Sequence, residues 1–402
     1  MAHRLFVVPV INAMGPVTDP RHDDLLSSWA AVDAATSAYF QKDLRQTLVD
    51  HRGQPVVFSW FPISWSGFAS NPVKRDFGWF TVYDHLADRW GEALKQWGDG
   101  IYWMYNHPDA SGIGNKWGLD WGHNSHYLNI LNRMVLERGF FPEAVQIPTA
   151  ALDSTHFVEG LFPFELSNRN SPFINWDNVE ADGRKTREIL QWADAPTHWR
   201  PYRACEDNHQ EPGLMRHWIF RLLDIKTRIM HFPEEEIHKA FADADSGADV
   251  VMAGYEHDFR DRAAAVRDLF LGPIARIAEQ YPRVQVTNAA FADAARAVAG
   301  LDGPAPIFRL EARQDHWLIT SDTGLFSASP YVAMAVEDEF RHLLPTPCGR
   351  FSWAIQKAWL PDRFRLGVAG CSRGGRSSTA LFRVEEQTVV EEVPQRRIHS
   401  RF

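Results

Sequence analysis

Short, nearly continuous apolar runs recur through the first 300 residues, and they limit the fold more than any other feature. They are Leu5–Ile11 (LFVVPVI), 55–60 (PVVFSW), 100–106 (GIYWMYN), 144–148 (AVQIP), 249–255 (DVVMAGY) and 284–288 (VQVTN), with a weaker one at 173–175. A run without polar alternation suits a strand covered on both faces, as in a parallel sheet. Between the runs, apolar residues return at helical spacing. Tyr83, Leu86, Trp90, Leu94 and Trp97 form one such stripe, with Thr81 and Asp84 placed like a capping box. Tyr127, Leu128, Leu131, Met134 and Val135 form a second, ending at Arg138-Gly139. Pro233 followed by three glutamates starts a third, and Val266, Leu269, Phe270, Ile274 and Ile277 mark a fourth. Strand alternating with helix predicts an α/β domain. No GxGxxG follows the first run, so a distorted (β/α) barrel of about seven units is expected over a dinucleotide fold.

The pattern changes after 301–306 (LDGPAP), which has linker composition. Beyond it lie short strand-like segments at 307–312, 317–321, 331–336, 351–356, 363–368 and 379–384. The expected layout is a (β/α) barrel catalytic domain over 1–300 and a small all-β, sandwich-like accessory domain over 301–402. The tail from Gln395 is polar and basic.

Composition narrows the function. With 45% hydrophobic and 23% charged residues the chain can fill a core, so disorder is excluded as its main state. The longest apolar run, Leu5–Ile11, is far short of the roughly 18 residues of a membrane span and contains Pro9. It follows Arg4, but so short a run reads as a buried strand rather than a secretory signal, and a cytoplasmic location is expected. A net charge of -9 argues against nucleic acid as the main partner. Three cysteines, Cys205, Cys348 and Cys371, are too few and too scattered for a disulfide framework or a CxxC zinc site. The oligomeric state is not legible. Sixteen Trp beside 26 Phe and 9 Tyr give either an aromatic core or a cleft whose rings stack on sugars.

In a (β/α) barrel, chemistry sits on the loops at the C-terminal strand ends. Asn12 and then Thr18-Asp19-Pro20 follow the first strand, and Phe61-Pro62-Ile63-Ser64-Trp65 the second. His107 follows the third, then a glycine-rich loop, then Trp121-Gly122-His123-Asn124-Ser125-His126. Glu256-His257-Asp258-Phe259-Arg260 follows the Asp249 strand. Each has an ordinary reading as a turn former, cap or surface residue. Together, one carboxylate (Asp19) and two or three imidazoles (His107, His123, His126) are a ligand set for zinc, or for iron, cobalt or nickel. Such an ion acidifies water for amide or ester hydrolysis. His257 is then placed to protonate the leaving group, oriented by Asp258. Trp65, Trp121 and Arg260 are candidate substrate contacts.

This layout resembles the NodB-like polysaccharide deacetylase superfamily of the carbohydrate esterase family 4 type, over roughly residues 4–300. The resemblance implies a barrel of about seven units and a divalent metal on one Asp after the first strand and two His after the third. It also implies an Asp base after the first strand and a late His as general acid. Asp19 matches a first-strand Asp; His107, His123 and His126 supply the metal pair; His257 in YEHD matches the late His. The paired Asp is absent at Asp19, with Asp23-Asp24 four residues on, and His107 and His123 are some 15 residues apart. Arg200-Pro201-Tyr202 echoes a family Arg-Pro-Pro-Tyr.

The leading expectation is a metal-dependent hydrolase removing an acetyl or similar acyl group from an amino sugar or glycan. Two alternatives stand beside it. One is a glycoside hydrolase using carboxylates among Asp19, Glu256 and Asp258; the other is a non-catalytic carbohydrate-binding protein. Gly370-Cys371-Ser372-Arg373-Gly374 matches the GxSxG nucleophile pattern. It is followed by no strong helix, and is read as a turn between strands.

Overall fold

The structure is a computed structural model that describes residues 3–17, 24–64, 79–105, 126–147, 152–167, 194–227, 231–386 and 388–392. Its contacts divide the chain into two compact units. The first holds 1–121, 144–156 and 164–300; the second holds 122–143, 157–163 and 301–402.

The first unit is built on parallel strands: β1 (His3–Ala13), β2 (Ser59–Ser64), β3 (Gly100–Ile101), β4 (Trp103–Tyr105), β5 (Ala144–Gln146), β6 (Phe164–Ser167), β7 (Trp218–Asp224), β8 (Val250–His257) and β9 (Val284–Asn288). The order β2-β4-β5-β6-β7-β8-β1 closes on itself because β1 also pairs with β2. The result is a closed, seven-stranded, all-parallel barrel, in keeping with the sequence pattern. β8 holds one edge of β1 from Leu5 to Asn12. The other edge is shared: β9 takes His3–Val7 and β2 takes Val10–Ala13. β9 thus fills the splay between β1 and β2, and Asn288 Nδ2 ties it to the carbonyls of Leu48 and Gln54.

Helices α1 (Trp29–Ser37) and α2 (Lys42–Arg45) follow β1, and α3 (Trp79–Trp97) follows β2. Next come α4 (His126–Arg138), α5 (Leu152–Leu161) and α6 (Glu234–Asp245). After β8 come α7 (Ala263–Val266), a π-helical turn (Arg267–Leu271) and α8 (Gly272–Ala278); α9 (Phe291–Ala299) follows β9. They do not make the regular outer ring that strict alternation predicts. α4 belongs to the second unit. α9 turns into the barrel: Phe291 packs against Phe61, Tyr102 and Phe220, which come from opposite walls. Its first amides are met by Ser59 Oγ at 2.8 Å and Tyr102 OH at 3.0 Å, in place of a cap of its own. Since Ser59 opens β2, this helix closes the N-terminal end of the barrel. Thr81 lies inside α3, which already runs at Trp79, so Thr81 and Asp84 are not its cap. The strands β6 and β7 were missed by the apolar-run reading, and 173–175 lies outside the described residues.

The second unit is a two-sheet antiparallel structure. One sheet pairs β10 (Phe308–Ala312), β11 (His316–Ser321), β15 (Ser352–Gln356) and β14 (Thr346–Gly349). The other pairs β13 (Glu339–Leu343), β12 (Tyr331–Val336), β16 (Arg363–Cys371), β17 (Ser377–Glu385) and β18 (Thr388–Glu392). Leu310, Trp317, Ile319 and Trp353 of the first sheet share a core with Val332, Met334, Leu366 and Phe382 of the second. On β12 and β16 the residues between these are small: Ala333, Ala335, Gly367 and Ala369. That face receives α4. A Cβ on Gly367 would lie 2.4 Å from Val135, so only glycine allows the helix this close. Tyr331 OH donates to Asn132 Oδ1 at 2.8 Å, fixing the same contact. Ser372 of the GxSxG pattern sits in the β16–β17 turn, where its Oγ accepts from the Arg376 amide, as expected of a turn residue.

Among the described residues no helix is long and apolar enough to cross a membrane.

Candidate functional site at the C-terminal mouth of the barrel

Strand register decides which side chains reach the lumen. In a parallel pair, registered residues share a face, and neighbours along a strand alternate. The outer face is marked by Trp60, which packs on Tyr39 and Phe40 and donates to Asp99, and by Gly254, whose Cβ direction meets Ile225 and Phe270. The inner face is marked by Phe61 and Phe220 against Phe291. Asn12 registers with Phe61 on one side and with His257 on the other, so all three face the lumen at its C-terminal end. Ile63, Met104, Gln146 and Leu166 follow in register around the wall, and Asp224 registers with Tyr255. The mouth therefore carries Asn12, Gln146, Asp224 and His257 on an otherwise apolar and aromatic wall.

Asn12 is 1% exposed and Gln146 3%. Neither polar atom of the Asn12 amide has a hydrogen-bond partner, and Gln146 Oε1 has none. Buried side-chain amides are almost always satisfied, so these two stand out. The His257 ring packs edge-on against Tyr255 and tilts over Phe259, with centroids 5.4 and 4.7 Å away.

The residues after His257 hold the loop that leaves β1. Asp258 accepts from the amides of Met14 at 2.7 Å and Gly15 at 3.0 Å. Gly15 has φ of +69°, and a Cβ there would come within 2.7 Å of Trp29. The Phe259 carbonyl accepts from the Leu26 amide, and Arg260 pairs with Asp24 at 3.2 Å. Asp258 and Arg260, expected beside the catalytic histidine and the substrate, thus clamp the β1 loop. The sequence could not show this, because the partners lie more than 230 residues away.

Glu256 points the other way. It registers with Ile11 and Trp60, on the outer face, and is 1% exposed with Oε1 unpartnered. Burial pushes its carboxyl up to about 8, against the pull of Arg262 and Arg260 and with Asp224 adding to the rise. A second buried carboxylate on the outside is fully satisfied. Asp99 takes both Arg45 guanidinium nitrogens, at 2.6 and 2.7 Å, with the Phe58 amide and Trp60 Nε1.

Of the other expected site residues, Asp19, Trp65, His107, Trp121 and His123 lie outside the described residues. His126 is the first residue of α4, in the second unit. Among the described residues no group of three or more His, Cys, Asp and Glu side chains is arranged to hold a metal ion. Tyr202, of the Arg-Pro-Tyr segment, forms an antiparallel bridge with Ile219 on β7. Gln146 and Asp224 were passed over in the sequence. Their signal was one polar residue within the apolar run 144–148 and one closing β7, the latter legible only once β7 is recognised as a strand.

No protein family, curated protein or solved structure matches this chain.

Proposed function

We propose that the barrel is a hydrolase working at its C-terminal mouth, removing an acetyl or similar acyl group from an amino sugar or glycan, with His257 as proton donor. The observation that carries this reading is the register of β8, which turns His257 to the lumen at the last position of the strand. That is where parallel barrels present catalytic groups. The seven-strand closure agrees with the deacetylase resemblance. An imidazole nitrogen can hold a proton and release it, which is what a general acid must do. A water oxygen bonds to the acyl carbon and gives its proton to solvent; as the bond from that carbon to the leaving nitrogen or oxygen breaks, the His257 proton passes to the leaving atom and the acyl group departs as acetate. The apolar wall of Phe61, Ile63 and Met104 excludes water around the transfer.

The divalent ion that the resemblance implies stays an expectation, since Asp19, His107 and His123 lie outside the described residues and His126 belongs to the second unit. The glycoside hydrolase alternative loses support: Glu256 faces away from the lumen, and the Asp258 oxygens are engaged by backbone amides.

The test is acetate release from a panel of N- and O-acetylated amino sugars and oligosaccharides. Wild type should release acetate and no new reducing ends. His257→Ala should keep the wild-type fold and metal content but lose turnover by about a hundredfold or more. Acetate release untouched by the substitution would sink the assignment of His257. No release from any substrate would sink the hydrolase reading itself.

A further inference from the structure

We propose that Asn12 and Gln146 form the floor of a subsite for one neutral, hydroxylated ring, such as a single sugar unit, inside the barrel mouth. The inference rests on the mouth being the working site, and names what it recognises. The two residues belong to β1 and β5, which are separated by β2 and β4, and so they face each other across the lumen. The Asn12 amide carries two N–H donors and two acceptor lone pairs, and none is used by the described residues. Gln146 adds an unused carbonyl acceptor. Burying such groups without partners is unfavourable. A chain gains by keeping them only if something outside it supplies the missing bonds, and functional sites are where that trade is found.

The chemistry of the partner follows from the rest of the wall. A pair of adjacent hydroxyls is matched by one amide, one hydroxyl donating to Oδ1 and the other accepting from Nδ2. The C–H face of a ring is matched by Phe61, beside Asn12 in register. An anionic group is not matched. None of the lumen-facing strand residues in this half of the barrel is Lys or Arg, and the nearby Arg221 turns outward to Glu236. Asn12 is shut from solvent in this structure, so a ring that reaches it is enclosed and both sides shed water.

Equilibrium binding tests this apart from turnover. Glucose, N-acetylglucosamine and, as a charged control, glucose 6-phosphate would be titrated by saturation-transfer NMR against wild type, Ser372→Ala, Asn12→Leu and Gln146→Met. At least one neutral sugar should bind wild type and Ser372→Ala alike. Asn12→Leu should weaken that binding at least tenfold and raise the thermal midpoint, because an unpartnered amide is removed. If Asn12→Leu does not fold, Gln146→Met carries the test, with weaker binding expected. Unchanged binding in the folded variants, no binding of either neutral sugar, or tighter binding of the phosphate would each overturn the proposal. Sugar binding without acetate release would leave the subsite standing and sink the hydrolase. Acetate release with binding indifferent to Asn12 and Gln146 would do the reverse.

Discussion

The sandwich core and the barrel mouth are both buried, yet they treat polar groups in opposite ways. The space between the two antiparallel sheets is filled by Leu310, Trp317, Ile319, Val332, Met334, Leu366 and Phe382, with no polar side chain among them. Its buried serines have partners: Ser321 Oγ, at the end of β11, donates to the Thr323 carbonyl and Ser327 Oγ to that of Ser329. The barrel buries Asn12 and Gln146 with amide atoms unmatched, and Glu256 with a carboxyl oxygen unmatched. The second unit also buries one unmatched hydroxyl, Thr379 Oγ1 on β17, but the barrel leaves side-chain amides and a carboxyl oxygen unmatched, which are costlier groups to bury.

Breaking a satisfied polar group in the barrel should have the largest effect. Asp99→Ala leaves the buried Arg45 guanidinium without its counter-charge, both side chains being 0% exposed. The expected loss is about 3–5 kcal/mol, read from urea denaturation. A loss below about 1 kcal/mol would mean that water reaches Arg45 and that the outer wall of the barrel is looser than drawn.

Glu256 should show a pH-dependent effect with a similar ceiling. Its folded pKa of about 8 lies above its ordinary value of 4.5, so the folded chain holds this proton more tightly than the unfolded chain. Its contribution to stability is complete below about pH 4.5 and is lost as the pH rises through about 8. Glu256→Gln should match wild type near pH 4.5 and be the more stable protein at pH 9, by at most about 5 kcal/mol. Parallel stability curves for the two proteins would show that Glu256 titrates normally.

The smallest effect is expected in the second unit. Ser372→Ala removes the acceptor for the Arg376 amide and should cost about 0.5–1.5 kcal/mol. Acetate release should not change, because Ser372 serves a turn. Abolished release would reopen the GxSxG pattern as a nucleophile and erase the contrast between the two units.

Much of this fold was legible because its signals are local. Runs such as 5–11 and 249–255 are apolar without alternation because helices cover one face and the lumen the other. The alternation of Val332 and Met334 with Ala333 and Ala335 even records that β12 is covered by side chains of different size on its two faces. Strand β6 is four residues long, too short for periodicity to speak, and β7 carries Arg221 in its middle. That arginine is paid for by Glu236, a partner no strand pattern can contain.

The site divides along the same line. The sequence alone showed the alternation of buried strands with helices apart from β6 and β7, the change to all-β structure after Pro306, and His257 just beyond a buried strand. Each of these depends on neighbours within a few residues. Only the tertiary structure decided which way each side chain faces. A strand shows its two faces equally until a partner fixes the register. Closure of seven strands turned Asn12, Gln146 and His257 inward and Glu256 outward. It also brought Asp258 to the amides of Met14 and Gly15, across more than 240 residues of chain.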